Sequence, residues 1–106
     1  RMTREIMESA QPPTALFAMN SRLGIGMLQA LRDRGLSIPG DVAVVVFDDI
    51  EAFSLMTPPI TAVMHPAYDI GYQAADLLLM AIKNRARPPP PREVILPTRL
   101  IVRASS

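Results

Sequence analysis

Residues 14–49 read TALFAMNSRLGIGMLQALRDRGLSIPGDVAVVVFDD, and they place a helical segment between two apolar runs. Thr14 to Met19 (TALFAM) predicts a short buried strand, because it is apolar and lies between a proline pair and Asn20-Ser21. Val42 to Phe47 (VAVVVF) predicts a second strand, and since every position is apolar we expect both of its faces to be covered. Two-sided burial is typical of parallel strands. The predicted fold class is therefore α/β, with a parallel sheet flanked by helices.

The segment between these strands predicts a helix from about Ser21 to Arg34. Asn20 is suited to the N-cap, and Gly35 is suited to the left-handed conformation at a helix end. The predicted buried face consists of apolar residues at helical spacing: Leu23, Met27, Leu28 and Leu31. Gly24 and Gly26 each cost such a helix roughly 1 kcal/mol relative to Ala, so we expect close approach to the sheet or to another subunit.

The alternation of helices and strands continues on both sides of this stretch. Upstream, Ile6, Met7 and Ala10 predict the last turns of a helix that ends before Pro12-Pro13. Downstream, the predicted elements are an irregular segment at 48–59, a strand at 60–64 (ITAVM), a helix at about 67–83, a stiff linker around the four prolines 88–91, and short strands at 93–96 and 100–102.

Composition excludes several classes of protein. The 106 residues carry a formal net charge of +1, with basic and acidic residues spread along the chain, so no electrostatic footprint for nucleic acid is visible in this segment. Cysteine is absent, which excludes disulfides and thiolate metal sites and favours a cytoplasmic location. The apolar runs are far shorter than the roughly 20 residues of a membrane span. The chain opens within a predicted helix, so we expect further sequence upstream.

Polar side chains follow three predicted strands at the point where each strand ends. They are Asn20, Asp48 and His65, and the carboxyl ends of parallel strands line a crevice that is open to ligands. Their combined donors and acceptors suit a sugar or a nucleoside. Each also has a purely structural interpretation: Asn20 as a helix cap and His65 as a loop residue before proline. Asp49 is interpreted first as a turn cap.

The same residues do not predict an enzyme. Asp48 and Asp49 are successive residues of an extended segment, so they point to opposite sides and cannot easily share a proton or a metal ion. His65 is the only histidine, and Gly24-Ile25-Gly26 lacks the third glycine of a dinucleotide fingerprint. We therefore predict no catalytic residue, no metal and no cofactor. An enzyme acting on a small sugar stays a minor alternative, motivated by Asp48 and His65.

Three stretches together resemble the lactose/galactose repressor (LacI/GalR) family of bacterial transcription regulators. They are PPTALFAMNSRLGIGMLQALRDRGLSIPGDVAVVVFDDI, TPPITAVMHPAYDIGYQAADLLL and ILPTRLIVRASS. The resemblance implies a part of a two-lobed, type I periplasmic-binding-protein-like domain that binds a small effector. About 1–64 and 98–106 would belong to the C-terminal lobe, and about 65–97 would complete the N-terminal lobe. The DNA-binding headpiece is absent from this sequence.

The resemblance also implies roles for particular residues. Asn20 and Asp48 match positions that commonly touch the effector, and His65 matches a crossover position that often does. The helix Ser21 to Arg34 and the segment 52–59 match the dimer-forming surface, whose candidate residues are Gly24, Leu28, Leu31 and Met56. Two departures from the family pattern lie beside the supposed pocket: Ser21 stands where Asp is usual, and Val46 stands where Gly is usual.

The function implied is the sensing of a small polar effector, a sugar or a related molecule, by a regulator that acts as a homodimer. Operator DNA would be bound only through the absent helix-turn-helix headpiece, and no membrane partner is expected. The alternative is a periplasmic sugar-binding receptor of a transport system, which shares the fold. The sequence upstream of Arg1 would discriminate between these two functions.

Overall fold

The computed structural model describes residues 2–85 and 90–106, which form one four-stranded sheet and four helices. The chain divides into two compact units. The sheet unit is Arg1–Met64 with Arg99–Ser106, and the helical unit is His65–Thr98. The elements in chain order are α1 (Met2–Met7), β1 (Ala15–Ala18), α2 (Ser21–Arg32), β2 (Ala43–Phe47), α3 (Glu51–Leu55), β3 (Thr61–Met64), α4 (Ala67–Lys83) and β4 (Arg99–Ile101).

The sheet has the strand order β1-β2-β3-β4, and its first three strands are parallel. Ala18 pairs with Val46, so β1 and β2 end at the same edge. β4 pairs antiparallel with β3, with Arg99 opposite Met64. The reversal follows from the chain path, because the chain leaves the sheet unit after Met64 and returns at Arg99. The α/β class is confirmed, and its parallel sheet has an antiparallel edge strand.

The core lies against one face of the sheet. Val42, Val44 and Val46 of β2 and its approach are fully buried, whereas the alternate residues of β2 are half-buried. Side chains from α2, α3 and the neighbouring strands cover the buried face: Ala18, Met27, Leu31, Phe53, Ile60 and Ala62. The prediction that both faces of β2 are covered is thus confirmed for the valine face, beneath α2 and α3, while the other face is partly covered within the described residues. Phe17 of β1 is 56% exposed.

Helix α2 begins and ends where local sequence signals predict. The side chain of Asn20 accepts a hydrogen bond from the Leu23 amide at 2.8 Å, which satisfies one of the donors left over at a helix start. Gly35 follows the helix in the left-handed conformation, with φ 68°. One predicted core residue was wrong: Leu23 is 58% exposed, and the buried face consists of Gly24, Met27, Ala30 and Leu31.

Gly24 is where α2 approaches the sheet most closely. A Cβ atom built on Gly24 would lie 2.7 and 2.9 Å from the two methyl carbons of Val46, closer than real Cβ atoms come to a neighbour. A Cβ atom on Gly26 would meet nothing within 4 Å. The expected close approach is thus confirmed for Gly24, which meets the sheet; Gly26 does not approach the sheet, and its approach to another subunit stays a prediction.

Two local predictions differ from the structure. The segment 48–59, predicted to be irregular, contains α3, whose Phe53 is fully buried against the core. Burial of one aromatic ring stabilises a helix too short to be recognised from periodicity. The predicted strand 93–96 is absent, because no strand of the described residues pairs with it. The predicted proline linker falls partly on residues 86–89, which lie outside the described part of the chain.

The helical unit consists mainly of α4, which extends from Ala67 to Lys83 as predicted. None of its residues is fully buried within the described structure. Ile70, Leu77, Val94 and Leu96 line a shallow apolar groove within this unit. Tyr68, Tyr72 and Leu78 are all more than half exposed. The helical unit therefore leaves many of the apolar side chains of α4 exposed.

Hydrogen bonds of hydroxyl groups hold the C-terminal residues against the sheet. The buried Ser105 hydroxyl donates to the Val44 carbonyl oxygen at 2.6 Å and accepts from the Thr61 amide at 2.8 Å. The Val44 amide in turn donates to the Ser105 carbonyl oxygen at 2.8 Å. Ser105 thus joins β2 and β3 just before their pairing begins at Val45 and Thr61.

The close approach of Gly24 predicts opposite effects for two glycine substitutions in one helix. Gly24→Ala should lower the free energy of unfolding by about 1–3 kcal/mol, because its methyl group would overlap with Val46. Gly26→Ala should raise it by about 0.5–1 kcal/mol, because Ala is the better helix former and space is open there. Urea denaturation of the protein that contains this chain would measure both. Equal effects would contradict the assigned packing of α2.

Removal of the Ser105 hydroxyl should also destabilise the sheet unit. Ser105→Ala leaves a buried carbonyl oxygen and a buried amide without this partner, so we expect a loss of about 2–4 kcal/mol in the free energy of unfolding. Ser54→Ala is the control, because the exposed Ser54 hydroxyl bonds only its own helix at Glu51. This control should change stability by less than about 0.5 kcal/mol. Thermal or urea denaturation that ranked the two variants equally would contradict the buried role of Ser105.

Candidate functional site

Asn20 and Asp48 follow neighbouring parallel strands at the same edge of the sheet. Each lies two residues beyond one member of the pair Ala18 and Val46. The residue next to Asn20 makes direct contact with Asp48, since the Ser21 hydroxyl donates to Asp48 Oδ2 at 2.7 Å. The structure thus brings these two predicted site residues to one part of the sheet edge. Their role in binding stays a prediction.

Asn20 has a structural role that occupies part of its side chain. Its Oδ1 atom accepts the Leu23 amide, so the interpretation of Asn20 as a helix cap is confirmed. The side-chain amide also carries two N–H donors, which the cap does not use. A ligand at this edge would therefore meet Asn20 as a hydrogen-bond donor.

Asp48 is half-buried, and its backbone has an uncommon conformation. Its φ angle is 82°, and it is the one non-glycine residue with positive φ among residues 2–85 and 90–106. Asp and Asn adopt this conformation more readily than other side chains do, and such residues persist where their surroundings hold them. The Asp48 amide donates to the Val63 carbonyl oxygen at 2.9 Å, which ties the turn to β3. The carboxylate is thereby held at the carboxyl end of β2.

Asp49 forms an ion pair with Arg103, so its interpretation as a turn cap was wrong. Two parallel hydrogen bonds of 2.8 Å join the Arg103 guanidinium to the two carboxylate oxygens of Asp49. The two side chains are 18% and 16% exposed, so the pair is largely shielded from water. Hydrogen bonding to Asp49 raises the pKa of Arg103 above its ordinary value.

The two adjacent carboxylates have different partners, although Asp48, with a φ of 82°, is not in the extended conformation from which their separation was predicted. Asp48 receives the Ser21 hydroxyl, whereas Asp49 receives the Arg103 guanidinium. The two carboxylates are therefore not paired with each other for acid–base chemistry. No group of three potential metal ligands occurs among the described residues. The arrangement offers hydrogen-bonding groups for recognition.

His65 is the first residue of the helical unit and directly follows β3. Its carbonyl oxygen accepts the Ala67 amide at 2.9 Å at the start of α4. The predicted contact of His65 with an effector stays a prediction from the family resemblance.

The four residues predicted for a dimer surface differ in their exposure. Leu31 is fully buried in the core of the sheet unit, and Gly24 lies against Val46, so the chain's own packing already accounts for both. Leu28 and Met56 are half-buried. Both line an open groove of about 840 Å³ beside α2, together with Ile25, Leu36, Ile38 and Pro58. The dimer role of all four residues stays a prediction.

Sequence reasoning missed Ser21 and Arg103 as partners of the two aspartates. Ser21 was noted as a departure from the family pattern and as the first residue of the predicted helix, but not as a hydrogen-bond partner of Asp48. Arg103 lies 54 residues from Asp49 in the sequence, and no local pattern connects the two.

Comparison with known proteins identifies relatives of this chain. The sequence matches the family of periplasmic binding protein-like domains over residues 1–106. It is 42% identical over 94 residues to a lactose operon repressor of Rhizobium radiobacter. This match covers 89% of this chain and 80% of that relative. It is 37% identical over 102 residues to a probable opine utilization operon repressor of Rhizobium rhizogenes. This match covers 96% of this chain and 51% of that relative.

A solved structure has the same fold. The chain matches a LacI family transcriptional regulator from Enterococcus faecalis V583 with bound ribose, with a TM-score of 0.84 and 30% identity. The match covers 98% of this chain and 38% of that regulator. The chain therefore belongs to the family of periplasmic binding protein-like domains. Within that fold class it is a part of a lactose/galactose repressor (LacI/GalR) family regulator, which confirms the resemblance found in the sequence.

Proposed function

We propose that this chain is part of the effector-sensing domain of a bacterial transcriptional regulator and that the effector is a sugar or a related polyhydroxylated molecule. The observation that carries the proposal is the joint position of Asn20 and Asp48 at the carboxyl edge of the parallel strands. The relatives support it, because they are repressors and one solved relative holds ribose. DNA would be bound by a headpiece outside this sequence.

The chemistry of the edge suits a neutral ligand with several hydroxyl groups. An ionised Asp48 accepts hydrogen bonds through about four lone-pair sites, of which the Ser21 hydroxyl takes one. Adjacent hydroxyls of a sugar donate to such a carboxylate, and the Asn20 amide donates to a sugar oxygen. Hydrogen bonds to a charged group are stronger than neutral ones and would give Asp48 the larger share of affinity. His65 is proposed as a further contact on the family resemblance alone.

The lobe assignment is part of the same proposal. The sheet unit would contribute to the C-terminal lobe, and the helical unit would contribute to the N-terminal lobe. Their boundaries at 64/65 and 98/99 lie within about one residue of those expected from the sequence. Effector binding would shift the balance between lobe arrangements and thereby alter DNA affinity elsewhere in the regulator.

A regulator of this kind would be a non-enzymatic protein of the cytoplasm. The relatives are transcriptional repressors, which favours this function over the alternative of a periplasmic transport receptor. Within the described part of the chain, no helix has the length and hydrophobicity needed to cross a bilayer.

We also propose that the groove beside α2 takes part in a homodimer. It contains Leu28 and Met56 from the predicted dimer surface, and it is lined mainly by apolar side chains. Ile25, on the same helix, is 44% exposed and lines this groove. Exposed apolar side chains grouped in one groove support a protein–protein contact at this position.

The effector proposal predicts a large effect for one conservative substitution. In the protein that contains this chain, Asp48→Asn should raise the Kd for D-ribose, D-galactose or lactose, whichever the unaltered protein binds, by about 10-fold or more. Asn retains the shape and tolerates positive φ, so loss of charge is the main change. Isothermal titration calorimetry would measure the Kd.

The control is Asp41→Asn, at the opposite end of β2. Asp41 accepts the Ser37 hydroxyl and amide at 2.6 and 2.7 Å, far along the strand from the proposed site. The Kd of the Asp41→Asn variant for the same sugar should equal that of the unaltered protein. Failure of the unaltered protein to bind any sugar, or an unchanged Kd in Asp48→Asn, would contradict the proposal.

The dimer proposal predicts a difference between two exposed residues of α2. Ile25→Arg would place a charge in the groove and should weaken dimerisation by about 10-fold or more. Leu23→Arg is the control, because Leu23 is also exposed but does not line the groove. Sedimentation velocity over a range of concentrations would compare the two variants. Dimers equally stable in both would exclude the groove as the interface.

A further inference from the structure

Arg103 links the turn beside Asp48 to the strand that returns from the helical unit. It follows β4, and its guanidinium makes three hydrogen bonds: two to Asp49 in the turn and one, at 2.7 Å, to the carbonyl oxygen of Ile60, the residue before β3. Two of its N–H groups thus match the two oxygens of one carboxylate. This geometry is specific to the planar guanidinium and is unavailable to an ammonium group.

The backbone of Arg103 is itself held in place. Its amide donates to the Thr61 hydroxyl at 2.9 Å, and the Thr61 hydroxyl lies 3.1 Å from the Arg103 carbonyl oxygen. Thr61 is 1% exposed and is the first residue of β3. Arg103 is therefore anchored to the sheet at its backbone and reaches the turn with its side chain. The anchored backbone fixes the point from which the Arg103 side chain reaches the turn.

The turn needs such support because of the conformation of Asp48. A non-glycine residue with positive φ is in a disfavoured conformation, and it persists when its surroundings determine that conformation. On one side, the Ser21 hydroxyl and the Val63 carbonyl oxygen bind Asp48 itself. On the other side, Asp49 is held by Arg103. The Arg103 pair therefore completes the restraints on the turn.

We infer that Arg103 is a positioning residue of the effector site: through its bidentate pair with Asp49 it holds Asp48 in the conformation that meets the ligand. This inference rests on the proposed function and adds a residue that would not touch the effector. It also gives the returning strand β4 a direct link to the site turn. A change at that strand would then reach Asp48 through one ion pair.

The test combines a measurement without ligand and a measurement with a sugar. The variants are Asp49→Asn, Arg103→Gln and their combination, made in the protein that contains this chain. Hydrogen exchange of the Asp48 amide, which bonds the Val63 carbonyl oxygen, reports on the turn without any ligand. We expect this amide to exchange about 10-fold faster in all three variants, with the double variant no faster than the single ones. The slowest amides of β2 exchange through global unfolding, so they report any loss of overall stability separately from the local change at Asp48.

The second measurement is the Kd for D-ribose, or for the sugar that the unaltered protein binds in the calorimetric comparison. Asp49→Asn and Arg103→Gln should each raise this Kd by about 10-fold, again without additivity. Arg103→Lys should recover only part of the affinity, because Lys cannot bind both oxygens in the same way. Ser105→Ala is the control for stability alone: it should destabilise the sheet unit and leave the Kd unchanged at temperatures where the protein is folded.

The outcomes separate this inference from the proposed function. If no sugar binds to the unaltered protein, the proposed function fails, while the exchange of the Asp48 amide still decides whether Arg103 holds the turn. If Asp48 exchanges at the unaltered rate in all variants, or if Kd follows stability so that Ser105→Ala behaves like Arg103→Gln, the positioning role of Arg103 is overturned.

Discussion

Complete burial of the valine face of β2 is the constraint on which the rest of the sheet unit depends. Val42, Val44 and Val46 have no exposed surface, and α2 can cover them closely only because Gly24 has no side chain at the point of contact. This contact sets the height of α2 above the sheet. Because α2 begins at the cap residue Asn20, the same contact also places Asn20 beside the end of β2. Packing of apolar side chains thus determines the position of a polar site.

The polar groups at this edge have separate structural partners. One atom of the Asn20 side chain caps α2, the Ser21 hydroxyl binds Asp48, and Asp49 is paired with Arg103. A largely shielded carboxylate beside a second carboxylate would be costly without a cation, and Arg103 compensates for it. The division explains why two adjacent aspartates have different roles. Under the proposed function, Asp48 is the acidic residue of this edge that meets the effector, and Asp49 has a structural role.

Local patterns in the sequence predicted much of this arrangement. The strand ends, the Asn20 cap, the left-handed Gly35 and the full length of α4 depend on residues close to one another in the chain, and all were predicted. The exposed Leu23, the short helix α3 and the missing strand at 93–96 were not. In each of these three cases the structure depends on a contact with another part of the chain, or on the lack of one. That contact outweighed the conformation or burial that neighbouring residues favoured.

The sequence by itself determined the three parallel strands, the helices α2 and α4, and the polar residue that follows each parallel strand, because periodicity and capping act over a few residues. Only the tertiary structure decided which face of β2 is buried and which atoms hold the site. The Arg103–Asp49 pair spans 54 residues of chain, and the Ser105–Val44 bond spans 61. Such contacts form when the sheet assembles, and their partners are chosen by three-dimensional proximity, which has no signature in neighbouring residues.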